Sequence, residues 1–177
     1  MTVPFTEVLE VLRRVRDVDA ATPTTTLRAW RGDIVRASVL VSYALGIYSL
    51  DIKILERAST TQVDDVLGNL VADLPELLAS GWMGGGWSLA PDASISVAAA
   101  NEFDIDSVAR RLELHGEMVT SDLRDHAIVH DLIVRIDEQR QELSQLRDML
   151  SSRLRLVQQT LLGRYATGDA SVDDWMS

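Results

Sequence analysis

The side chains best suited to chemistry in this chain are its three histidines, His115, His126 and His130, all in the C-terminal half. On a single helix, eleven residues bring the chain back to nearly the same face and four more turn it by about 40°, so the three imidazoles share one strip. Val108, Leu112, Val119, Leu123 and Ile133 fall beside that strip, and Asp122 and Asp137 lie close to it. Glu113, Glu117, Arg124, Asp131, Arg135 and Glu142 face the other way. Two chemistries fit this pattern. His126 and His130, at i and i+4, can share one metal ion with Asp122 as a carboxylate ligand. Alternatively, His and Asp hydrogen-bond to each other in a semi-polar packing seam that fixes helix register. The spacing favours the seam. His115 stands about 16 Å along the axis from His126, and no other part of the chain supplies a histidine. No Glu lies three residues before any His, as the ferritin-like di-metal sites require.

Other chemistry is sparse. Gly84-Gly85-Gly86 is not followed by Lys and Ser or Thr, so it is not a phosphate-binding loop. No serine sits in a Gly-x-Ser-x-Gly elbow. Cysteine is absent, which removes disulfides, thiolate metal sites and a cysteine nucleophile. The carboxylates lie on expected solvated helix faces. No catalytic residue and no cofactor are assigned, and a non-enzymatic protein is expected. The net charge of −10 argues against nucleic acid and against an anionic membrane surface, since both are bound by Lys and Arg. Lys53 is the only lysine among seventeen basic residues, a bias that, with abundant Ala and Val, suggests a GC-rich genome.

The elements that must position these residues read as all-α. Apolar residues make up 46 % of the 177 and aromatics 5 %. A short helix is expected from Thr6 to Val18, with Val8, Leu9, Leu12 and Val15 on one face, then a linker from Ala20 to Thr26. A second helix runs from Leu27 to Ala58. In it Leu27, Trp30, Ile34, Leu40, Val41, Leu45, Tyr48, Ile52 and Leu55 recur mostly at threes and fours, and its middle is apolar all round. The uncharged stretch Ala37 to Leu50 is shorter than the roughly 20 residues of a bilayer span and reads as a buried helix, with no membrane insertion. Thr60 or Thr61 caps a third helix with the seam Val63, Leu67, Leu70, Leu74 and Leu77, interrupted by Pro75 and ending at Gly81. A Trp- and Gly-rich loop over 81–101 follows.

Asp104 or Asp106 then caps a final helix from Ser107 to Tyr165, within a segment 102–165. Such a rod is on the order of 90 Å long. Its proximal half packs on the 1–100 helical segment, and an acidic flexible tail covers 166–177. The whole is one domain, an elongated bundle of three to four helices. The distal seam Leu143, Leu146, Leu150, Leu154, Val157 and Leu161 has no evident mate within the chain. It is therefore expected to pair, as a coiled coil, with a second copy or a helical protein partner.

Tyr165, Asp169, Val172 and Met176 fall at i, i+4, i+7 and i+11, one face if the helix continues. This resembles the C-terminal export signal of substrates of the type VII (ESX) secretion systems, which follows a long helix. The same WXG-like helical-hairpin superfamily carries a Trp-x-Gly turn, matched here by Trp82-Met83-Gly84. The long loop after Trp82 and the two helices before it depart from the small members of that family. The N-terminus, with Glu7 and Glu10 after Met1-Thr-Val-Pro-Phe5, lacks an ordinary signal peptide. The resemblance implies a secreted or cell-surface protein exported by a signal-peptide-independent route and contacting the secretion machinery. The residues alone also allow a cytoplasmic dimeric adaptor or regulatory subunit using the same helix, and more weakly a metal-binding helical-bundle enzyme using His126, His130 and Asp122.

Overall fold

The computed structural model of the chain describes residues 5–19, 21–60 and 105–168. They form five α-helices and, among the described residues, no strand: α1 (Thr6–Arg14), α2 (Thr24–Thr60), α3 (Ile105–Ala109), α4 (Glu113–Thr120) and α5 (His126–Thr167). The fold is all-α. The expected third helix with its seam from Val63 to Leu77, the loop over 81–101 and the candidate cap Asp104 lie outside the described residues.

The chain divides into two compact units, one of Met1–Val39 with Leu146–Ser177 and the other of Leu40–Gln145. In the first, α1 and the start of α2 share a core with the end of α5. α1 is shorter than its apolar pattern suggests: Val15 closes it at φ −92°, and the Arg16 N–H turns back to the Arg13 carbonyl. Phe5, just before it, is left-handed at φ 73° yet buried. Burial of that ring, worth about 1.5–3 kcal/mol, offsets the roughly 1–2 kcal/mol that the backbone conformation costs.

α2 begins three residues earlier than Leu27 because a turn prepares its start. The Thr22 hydroxyl donates to Asp19 Oδ1 at 2.8 Å, the Asp19 N–H donates back to Thr22 Oγ1 at 3.2 Å, and the Leu27 N–H bonds the Pro23 carbonyl at 3.0 Å. The Thr22 hydroxyl and N–H bonds hold the Asp19 carboxyl below its ordinary value. In this unit the end of α5 meets the start of α2, where Arg164 donates to Thr24 Oγ1. Arg153 of α5 reaches the Arg16 carbonyl after α1, and Arg14 pairs with Asp33 of α2.

This packing corrects the expectation of an unmated distal seam. Leu143, Leu146, Leu150, Leu154, Val157 and Leu161 are all at most 9 % exposed within the single chain. Five of the six lie in the unit that α1 and the start of α2 share with α5; Leu143 lies in the other. That unit also holds α1 and the first turns of α2, where Val8, Val15, Leu27 and Ile34 are buried.

In the second unit α2 buries Leu40, Val41, Ala44, Tyr48, Ile52 and Leu55. Ala37 through Val41 are buried at five consecutive positions, so the middle of α2 is enclosed all round, as its composition demands. α2 is also long and apolar enough to cross a membrane, with half of its most apolar stretch buried inside the chain, a character that core helices of soluble proteins share.

The expected continuous helix from Ser107 to Tyr165 is corrected too: it is three helices, with turns at 110–112 and 121–125. Two aspartates make the second break. Asp122 Oδ1 accepts from the Arg124 N–H, and Asp125 Oδ1 accepts from the Ala127 N–H at 2.9 Å, capping α5. Short carboxylates satisfy backbone donors locally and so compete with a through-going helix. What remains, α5, has 42 residues, about 63 Å.

Because the seam is covered within one chain, Leu150→Ala should lower stability by about 2–5 kcal/mol, measured by urea unfolding. The loss should be the same at micromolar and at hundredfold higher protein concentration. A loss that grows on dilution would show that the seam is shared between chains instead.

Candidate functional site

Two places in the described chain bring predicted site residues against partners from elsewhere. The first, in the Leu40–Gln145 unit, is built on α4. Leu112 and Met118 are buried, and His115, between them at steps of three, is carried towards α2. Its Nδ1 lies 2.9 Å from each carboxylate oxygen of Asp51 and donates to them. The Asp51 side chain is only 1 % exposed and that of His115 27 %. The hydrogen bond to Asp51 raises the His115 pKa above its ordinary value, against the opposing effect of burial. Beside them the Tyr48 phenol is pushed up to about 12, by burial first and then by Asp51 and Glu113.

A second tether holds α4 to α5. Arg135 grips Glu117 with both guanidinium nitrogens, at 2.7 and 2.6 Å, and also reaches Asp131 at 3.2 Å. The Arg135 fork lowers the Glu117 carboxyl and raises the guanidinium in turn. Both side chains are well exposed.

The three histidines therefore do not form one strip. His115 sits on α4, whereas His126 and His130 lie on α5 beyond the break and are exposed. Asp122 is in the turn, engaged with the Arg124 N–H, so helical spacing no longer links it to His126. Among the described residues no three His, Cys, Asp or Glu side chains converge to hold a metal ion. Asp137, the other acid near the expected strip, pairs with Arg140.

The second place is the end of α5, in the other unit. Tyr165 is half-buried. Its hydroxyl accepts a hydrogen bond from Arg28 Nε at 3.1 Å, and the guanidinium carbon stands 5.8 Å from the ring centre. Two residues past Tyr165 the helix stops: Gly168 has φ +78°, and its N–H turns back to the Tyr165 carbonyl. A left-handed glycine is a common helix terminator. The described helix ends at Thr167, and the Tyr165-to-Met176 strip beyond Gly168 is outside the described residues. Trp82, Gly84, Asp169, Val172 and Met176 lie outside the described residues.

Asp51 and Arg28 are the partners that the sequence reading missed. Asp51 carried a signal: it falls between Tyr48 and Leu55, at steps of three and four, as a lone acid on the apolar face of α2. An acid there needs a counter-group. Arg28 carried none, because its contact with Tyr165 spans 137 residues of sequence.

No family model, no curated protein and no solved structure matches this chain.

The two tethers of α4 should separate on mutation. Glu117→Gln removes an exposed pair and should cost less than about 1 kcal/mol, a cost that disappears in 1 M salt. His115→Ala strands a buried carboxylate and should cost about 1–3 kcal/mol or more with little salt dependence. Denaturant melts of the two variants at low and high salt provide the comparison.

Proposed function

We propose that this chain is a non-enzymatic helical protein that works through protein–protein contact and is exported by, or associated with, a type VII secretion system. The observation that supports this reading is the position of Tyr165. It stands on the last turn of the longest helix among the described residues, three residues before a left-handed glycine, with Asp169 next in sequence. A helix end followed by an acid and two apolar anchors, Val172 and Met176, is a segment that a receptor can take into a groove. Its partner is the export machinery, and its destination is the cell surface or the exterior. Tyr165 itself has a structural task through Arg28, so the recognised segment begins at the helix end and extends past it.

A second reading, a cytoplasmic dimeric adaptor, draws on a different face of α5. Gln145, Met149, Ser152, Leu156, Gln159, Gly163 and Ala166 alternate at fours and threes, all exposed and none charged. A coiled-coil partner would follow that spacing. It replaces the buried leucine seam as the face available to a helical partner.

Truncation after Gly168 keeps Tyr165 and its Arg28 contact and removes Asp169, Val172 and Met176. In a host with a type VII system, the truncated protein should accumulate inside the cell while retaining full helical content by circular dichroism. Export at the level of the full chain would sink the secretion reading. Sizing by light scattering addresses the adaptor: a dimer that Leu156→Glu converts to monomer supports it, and a monomer throughout removes it.

A further inference from the structure

α4 is eight residues long and is bounded by turns at 110–112 and 121–125. With one buried side chain of its own, Met118, it is too short to persist as an isolated helix. Its place depends on the two tethers described above, and these respond differently to pH. The Glu117–Arg135 pair joins a carboxylate to a guanidinium, both of which remain charged throughout the neutral range. The His115–Asp51 pair joins a buried carboxylate to the one kind of side chain that normally changes charge near neutrality.

The surroundings of that pair are acidic. α2 contributes Asp51 and, one turn back, Tyr48; α4 contributes Glu113, whose charge acts on Tyr48; from α5, Arg135 is engaged with Glu117 and Asp131. Tyr48 stays neutral to about pH 12 and does not compete for protons in the neutral range. Among the described residues, the charged partner bonded to Asp51 is the imidazolium of His115. A carboxylate taken out of water is costly unless a counter-charge stays with it. Once the imidazole loses its proton, the His115 contact with the buried carboxylate falls from a charged to a neutral N–H bond.

We propose that the His115–Asp51 pair is a pH-sensitive latch that docks α4 on α2 when the imidazole is protonated and lets it open when the imidazole is neutral. The sign follows from linkage. The pair raises the His115 pKa in the docked state above its value in the open state, near 6.5. Its stabilisation is fully present below about pH 6.5 and is lost as pH rises through the docked-state value. Within that window the opening equilibrium grows by up to about tenfold per pH unit, the limit set by one proton.

Amide hydrogen exchange on the full chain between pH 5.5 and 9, corrected for the intrinsic rate at each pH, tests the latch. Protection over residues 113–120 should fall with rising pH, while that over 146–161 of α5 stays level. In His115→Gln, whose amide can donate to Asp51 but does not titrate in this range, the fall should vanish. Equal behaviour of the two segments in the wild type, or an undiminished fall in His115→Gln, would overturn the proposal. Should His115→Gln fail to fold, NMR titration of the wild-type His115 ring decides: a midpoint at or below 6.5 refutes the latch, and one above it supports it.

Discussion

The middle of α2 sets the terms for the rest of the structure. From Ala37 to Val41 five successive side chains are buried, and five residues of helix sweep more than a full turn. A helix apolar on every side is stable in water only if neighbours cover every side. In one unit that cover involves α1 and the end of α5; in the other α2 shares its core with α4 and the start of α5. α5 accordingly buries Val129, Leu132, Ile136 and Leu143 in one unit and Leu146 to Leu161 in the other. The leucine seam of α5 is buried within the single chain.

Enclosing α2 also encloses Asp51, and that decides how α4 is attached. A residue of similar volume without charge would pack there at less cost, because desolvating an ion pair can offset what its attraction contributes. What the ionic pair adds is directionality: Nδ1 of His115 must face both oxygens of Asp51, which fixes the rotation of α4 on α2. The Glu117–Arg135 fork has better hydrogen-bond geometry, yet it is exposed, and water and salt weaken it. Burial, more than bond length, ranks the two tethers.

Helix ends are set by short polar side chains and one glycine. Asp122 and Asp125 break the C-terminal half before α5, Asp19 and Thr22 prepare the start of α2, and Gly168 stops α5. Each works by giving backbone donors or acceptors a local partner where the helix cannot. The stop at Gly168 separates Tyr165, whose hydroxyl and ring are held by Arg28, from the residues that follow.

Local periodicity was sufficient to read the all-α class, the enclosed middle of α2 and the apolar residues of the distal seam, because burial at threes and fours leaves a direct trace in the order of residues. The mate of that seam was not legible. Leu150 has the same spacing whether a second chain or its own α1 and α2 cover it, and only tertiary packing distinguishes these. The break after α4 left a trace in Ser121-Asp122-Leu123-Arg124-Asp125, whose aspartates accept backbone N–H bonds there. His115 stood out in the sequence as a residue fit for chemistry. Its partner, 64 residues away, was fixed by the fold alone, since a buried carboxylate takes whichever counter-charge the packing brings within reach.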